Sequence, residues 1–450
     1  MPVTPFDSAI YGGLLGDAEV AEAFSDTAQV RAMLNVEAAL ARVEARLGII
    51  PEAAAAAIEQ AIAGFAADTD RLGEATEVAG VPVAGLVQQI RARLGAEAAP
   101  FLHWGATSQD VVDTALVLRL RLVLDTLSGR LDRLIDLLAG LAETHRETVM
   151  AARTRAQQAT PTTFGLEAAA WLAPLLRHRN RLAELKPRLM CVQLGGASGT
   201  LAALGAEGIE VMEALAEELG LAAPALPWHT QRDGMAEAAG WLSLVTGSLG
   251  KMGQDLVLLA QSEVGEVRDG GAGRGGSSTM PQKVNPIAAE TLVALARLNA
   301  GLLANAHQAM IQEHERGGPG WMMEWATLPQ MASCAGAALR HGANLLERLE
   351  VRADRMRLNI DASNGLLLAE AAAFALAAHM PRQQAEALVG EASREAETSR
   401  RHLIDVLADL VESPVDWARL KDVGNAVGLA PRLVDRLLGV GDRAQRRKRD

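Results

Sequence analysis

Apolar positions recur at helical spacing through most of this chain. Between residues 19 and 48 they fall at Val30, Met33, Leu34, Val36, Ala39, Leu40, Val43 and Leu47, and the run stops near Gly48 and Pro51. Shorter helical pieces fill the stretch to about residue 100, with breaks at Gly80, Pro82 and Gly95. A much longer helix is predicted next. Thr107 and Asp110 read as a capping pair, followed by Leu116, Leu120, Val123, Leu124, Leu127, Leu131, Leu134, Leu138 and Leu141.

Further long helical tracts cover roughly 161–187, 230–268, 286–312 and 323–350. Five long helices with short connections predict an all-α fold with a central bundle. Some stretches, such as Leu256-Val-Leu-Leu-Ala260, are apolar around the whole helix, and such helices must be covered. One bundle per chain offers too little cover, so self-association is expected. The pattern suggests three regions: 1–102 with short helices, 103–350 with the long bundle, and 351–450 with short helices again. The tail Arg446-Arg-Lys-Arg-Asp450 reads as a solvated, frayed terminus.

Composition narrows the function classes. The 450 residues are 49% apolar but only 3% aromatic, a balance that suits closely packed helices. The formal net charge of −12 argues against general affinity for nucleic acid or anionic membranes. An anionic substrate would therefore need a local concentration of cations. Two cysteines, Cys191 and Cys334, give neither a disulfide framework nor metal-ligand spacing, so no metal is expected. The N-terminus lacks signal-peptide character and no uncharged apolar run has membrane-spanning length, so a soluble cytoplasmic protein is expected.

Chemistry concentrates in loops at helix ends. Gly275-Gly-Ser-Ser-Thr-Met-Pro-Gln-Lys-Val-Asn-Pro286 combines free backbone, hydroxyls, a lysine and an asparagine, then starts a helix at Pro286. A serine beside glycine amides and a lysine suits activation of its hydroxyl. His103-Trp-Gly-Ala-Thr-Ser-Gln-Asp110 stands where a loop meets the longest helix. The N–H groups of that helix end, with the Thr107 and Ser108 hydroxyls and His103, suit a carboxylate. As a bland alternative, Thr107 and Ser108 only cap and His103 binds a carbonyl. Arg153, Thr154, Arg155 and Gln157 form a second polar cluster, in which Arg153 and Arg155 could instead be interhelical ion-pair partners. His229 and Arg232 lie together in Trp228-His-Thr-Gln-Arg-Asp233, and Arg316 lies in a Gly/Pro turn before Glu324. The Gly-rich turn 195–200 lacks the Lys-Ser/Thr ending of a phosphate loop.

The segment 275–286 resembles the signature loop of the fumarase/aspartase superfamily, Gly-Ser-Ser-x-Met-Pro-x-Lys-x-Asn-Pro, at every fixed position. The stretches at 103–114, 153–165 and 312–329, and Asn35-Val-Glu-Ala-Ala-Leu-Ala41, resemble its other conserved regions in order, so the resemblance covers nearly the whole chain. In most members the second region reads Thr-His-x-Gln; here Arg155 stands at the histidine position. Arginine is a poor general base but a strong carboxylate ligand. That departure, with the string at 228–233, is similar to the bacterial branch of 3-carboxy-cis,cis-muconate cycloisomerases.

The resemblance implies an all-α subunit in a homotetramer, with each active site drawing segments from three subunits. It implies addition to, or elimination from, an alkene beside a carboxylate, with no cofactor. Ser277 would be the proton donor to carbon. Lys283 and Asn285 would hold the enolised carboxylate, Arg316 and Arg155 the others of a tricarboxylate. Ser278, Met280, His103, Thr107, Ser108, Arg153, Thr154, Gln157, His229 and Arg232 would complete substrate binding. Adenylosuccinate lyase, a lyase for a related substituted acid, and a non-catalytic helical scaffold are the alternatives.

Overall fold

The computed structural model describes residues 4–271, 275–276 and 279–439. Ser277, Ser278 and the basic tail therefore lie outside the described residues. The longer elements, in chain order, are α1 Asp26–Arg46, α2 Ser108–Thr144, β1 Val149–Thr154, β2 Gln157–Thr163, α3 Phe164–Leu189, α4 Gly208–Leu219, α5 Asp233–Leu259, β3 Val267–Asp269, α6 Ile287–Gln308, α7 Pro319–Leu346 and β4 Leu349–Val351. The five long helices predicted from the periodicity are α2, α3, α5, α6 and α7. The single tract 19–48 divides into Ala18–Glu22 and α1, because the Ser25 hydroxyl accepts from Ala28 N and starts a new helix.

The described residues form two compact units. One runs through Leu131 and includes His178–Gly247 and Ala294–Arg340; the other comprises Asp132–Arg177, Ser248–Val293 and the chain from His341 onward. The boundaries fall inside the five long helices.

In the first unit Met33, Leu40, Val43, Ile58, Leu86, Ile90, Leu102, Val111, Val192, Leu194 and Leu215 make one apolar cluster. The first turns of α2 are buried on every side from Gln109 to Leu120. A helix covered all round must satisfy its polar side chains internally. Asp110, Asp113 and Thr114 all sit in that stretch, and the hydrogen bonds they make build the site described below. Asn299 of α6 ties three helices together by donating to Thr246 Oγ1 of α5 at 3.2 Å and to the Met331 carbonyl of α7.

The second unit packs Ile360, Leu368, Leu376, Val389, Leu403 and Leu407 around Ala151 of β1. Strands β1 and β2 form an antiparallel hairpin paired from Val149–Thr163 to Thr154–Gln157, with a register shift between Ala151 and Arg153. Only Arg155 and Ala156 remain for the turn, both with positive φ (52° and 64°). Two-residue turns of this hand normally hold Asn-Gly, so the tip is locally strained.

Several large apolar side chains on the long helices are exposed in the single chain: Leu122, Leu244, Leu258, Leu298 and Met322. Among the described residues α6 alone is long and apolar enough by length and composition to cross a membrane. It also carries Glu290 and Arg297.

Candidate active site

The carboxylate of Asp110 organises a polar cluster within the first unit. It is buried in the first turn of α2, and its Oδ2 accepts from Thr107 N and Gly196 N, each at 2.9 Å. Its Oδ1 accepts from Gly195 N at 3.0 Å, Gln193 Nε2 at 3.1 Å and His229 Nε2 at 2.7 Å. The Thr107 bond is the expected capping interaction, but the other four donors come from positions far along the chain. Three loops therefore converge on one negative charge at a helix N-terminus, where the dipole favours it.

The loops meet so closely that glycine is required at two positions. Gly105 has φ +68°, and a Cβ there would lie 2.5 Å from Leu204 Cδ2. At Gly195 a Cβ would lie 2.8 Å from His229 Cε1.

Arg316 rests on this platform. Its Nη1 donates to Thr107 Oγ1 at 2.9 Å, and its Nη2 to the Gly196 and Ala197 carbonyls at 3.1 and 2.9 Å. All three acceptors are uncharged, and the side chain is exposed. Its position is fixed while no carboxylate among the described residues pairs with it, as an anion ligand requires.

His103 lies in the same loop with φ 62°, donating from Nδ1 to the buried Glu37 carboxylate at 2.7 Å. Burial disfavours the imidazolium, but Glu37 outweighs it, and His103 is held above its ordinary value of 6.5. Asp110 adds to the rise and Arg91 opposes it.

Arg232 is placed differently from the expectation of a substrate ligand. It is fully buried, with Nε on Glu324 Oε1 at 2.8 Å and Nη1 on Asp113 Oδ2 at 2.6 Å. Its Nη2 reaches both carboxylates, Trp228 covers its face, and Trp321 Nε1 donates to Asp113. Such a guanidinium is committed to two carboxylates and joins α2 to α7. His229 is likewise buried behind the loops and positions Asp110, not an open ligand position.

The second unit, taken by itself, carries the hairpin tip and the signature loop. Arg155 stands exposed at the strained turn, flanked by exposed Thr154 and Gln157. Arg153 points elsewhere, forming a two-pronged pair with buried Glu266 at 2.9 and 2.7 Å, and Asn359 donates to the same carboxylate. Arg153 is thus an ion-pair partner, but of the chain entering β3 and not between helices as the alternative had it. In the signature loop, Gly276 and Val284 form an antiparallel bridge. Asn285 donates from both N and Nδ2 to the Gly275 carbonyl, at 2.8 and 2.9 Å. Asn285 thus shapes the loop in this state. Gly275 has φ +64°, and a Cβ there would lie 2.1 Å from the Asn285 carbonyl oxygen. Lys283 and Met280 are exposed on the loop.

The local sequence marks Asp110 as a cap alone, and gives Gln193 no signal. Its nearest signal for Glu37 was a carboxylate on the apolar side of a periodic helix.

An all-α chain with these loops at its helix ends is a member of a known class. A family model described as "Lyase" matches residues 17–298, and the chain belongs to that family, the fumarase/aspartase superfamily. Among its relatives, the 3-carboxy-cis,cis-muconate cycloisomerase of Pseudomonas aeruginosa is 47% identical over 424 residues, with 92% of each chain covered. That of Bradyrhizobium diazoefficiens is 43% identical over 96% of this chain and 98% of its own. The crystal structure of the 3-carboxy-cis,cis-muconate lactonizing enzyme from Pseudomonas putida superposes with a TM-score of 0.90 at 42% identity, covering 97% and 99% of the two chains.

Proposed function

We propose that this protein is a 3-carboxy-cis,cis-muconate cycloisomerase, converting that tricarboxylate to 4-carboxymuconolactone in protocatechuate catabolism. The observation that carries the reading is the set of cations without a carboxylate partner among the described residues: Arg316 rests on neutral oxygens, and Arg155 occupies the place of a histidine base. A trianion needs such ligands, and an arginine at that place removes the proton acceptor that ordinary superfamily lyases use.

In the lactonising direction one carboxylate oxygen attacks the substrate's own double bond. A C–O bond forms, the C=C bond breaks, and a proton is delivered to the carbon next to a second carboxylate. Ser277 is assigned as donor from its place in the signature motif. Negative charge accumulates on the enolised carboxylate before protonation, and Lys283 is assigned to it. The nucleophile is intramolecular, so selecting the reactive conformer supplies much of the rate.

Arg155, Lys283 and Arg316 are all exposed in the single chain, and the long helices carry exposed apolar side chains. Both facts support a homotetramer whose sites are completed by neighbouring subunits. A three-region subunit (1–102, 103–350, 351–450) and a cytoplasmic location belong to the same reading.

The test is to add 3-carboxy-cis,cis-muconate to the purified protein and follow loss of diene absorbance. Turnover of fumarate or adenylosuccinate with none of the muconate would overturn the assignment. Ser277→Ala should abolish turnover while leaving the oligomer unchanged; an active variant removes Ser277 from the donor role.

A further inference from the structure

Glu37 of α1 has a side chain with no solvent exposure, set within the apolar cluster of the first unit. Its single hydrogen-bond partner among the described residues is His103 Nδ1, and its other oxygen, Oε2, is buried without one. An ionised carboxylate in such a place is tolerated only beside a cation. Two turns further along α1, Glu44 is buried with both oxygens unpartnered. Burial first, and the nearby Glu37 second, push Glu44 up to about 9, so it is neutral near pH 7.

His103 is held from several sides. Its backbone occupies the left-handed region, and Arg91 Nη2 holds the preceding carbonyl, Leu102 O, at 3.1 Å. With Nδ1 engaged, Nε2 has no partner among the described residues, and the side chain is 17% exposed. Four residues on, Thr107 carries Arg316. The charged groups acting on the imidazole are Glu37 from α1, Asp110 from α2 and Arg91 from the helix Val83–Arg91.

We propose that Glu37 is a positioning residue for substrate binding: its carboxylate anchors His103 by Nδ1 and favours the ring form that offers Nε2–H to a substrate carboxylate beside Arg316. The inference rests on the cycloisomerase reading only for the identity of the anion.

Glu37→Gln keeps the side-chain shape and an acceptor for Nδ1–H but removes the charge. It should raise KM for 3-carboxy-cis,cis-muconate at pH 7.5 about tenfold, the loss expected when one charge-assisted hydrogen bond is weakened, while leaving kcat little changed. In a His103→Gln background the same change should leave KM unmoved; a rise there equal to that in the parent would mean a packing role and overturn the proposal. A second arm uses no substrate. Ring-13C histidine spectra of the intact oligomer, with His103 assigned from His103→Gln, should show its titration displaced to lower pH in Glu37→Gln and largely retained in Glu37→Asp. Identical titration in the parent and Glu37→Gln overturns the proposal. A parent protein inert toward the muconate removes the substrate reading instead, leaving the spectra to decide for Glu37.

Discussion

Replacing Glu44 with glutamine should stabilise the protein, by an amount that grows with pH. A glutamate in the unfolded chain ionises near its ordinary value of 4.5, whereas folded Glu44 keeps its proton to about 9. Between those values unfolding releases a proton, so stability falls as pH rises and levels off once both states are ionised. Two and a half units separate 4.5 from neutrality, equivalent to about 3 kcal/mol at pH 7. Glutamine is neutral in both states and lacks this dependence. Its amide buries one more donor than the protonated acid, also without a partner, which costs about 1 kcal/mol, so a net gain of about 2 kcal/mol is expected at pH 7. At pH 5 the gain should vanish. The assay is thermal unfolding of parent and variant at one protomer concentration at pH 5.5, 7.0 and 8.5, since assembly makes the midpoint concentration-dependent. Midpoint differences that stay constant across the three pH values would refute the reasoning, because they would mean that folded Glu44 is ionised throughout.

Three further outcomes follow from the site. Arg316→Gln should raise KM roughly ten- to hundredfold, the worth of one charged hydrogen bond, with the circular dichroism spectrum unchanged. Gly105→Ala should cost about 1–2 kcal/mol from the left-handed backbone alone, plus the clash with Leu204, and lower kcat/KM; adding Leu204→Ala should recover part of the loss in both unfolding and kinetic assays. Arg232→Met should destabilise by about 3–5 kcal/mol by leaving Asp113 and Glu324 buried without a cation; an unchanged unfolding midpoint would contradict the buried arrangement.

The long helices were legible because their apolar period persists over many turns, and tertiary packing reinforces it. Boundaries were less so: the tract 323–350 begins as α7 at Pro319, with Pro329 inside the helix. The hairpin was hidden for a physical reason. Arg155-Ala156 lacks turn chemistry, so Arg153–Thr163 reads as a polar prelude to a helix instead of two strands. Site residues split in the same way. Thr107 and Asp110 are three apart and visible as a capping pair. Arg232 meets Asp113 and Glu324 across 119 and 92 positions, and no local pattern distinguishes a buried, fully engaged arginine from an open one. Arg153 and Arg155 are two positions apart and read as equivalent in the sequence, but Arg153 lies in β1 and Arg155 in the left-handed turn, where the backbone no longer keeps i and i+2 on one face.

The tip of that hairpin carries a consequence for engineering. Left-handed backbone at Arg155 and Ala156 is a stability deficit that Asn-Gly would repair. A programme selecting only for heat resistance would reach this turn early and would replace its arginine with the preferred asparagine. The resulting protein would fold better while losing the cation assigned to the trianion. Thermostability and turnover should therefore be scored together at these two positions, since improvement in one is expected to trade against the other.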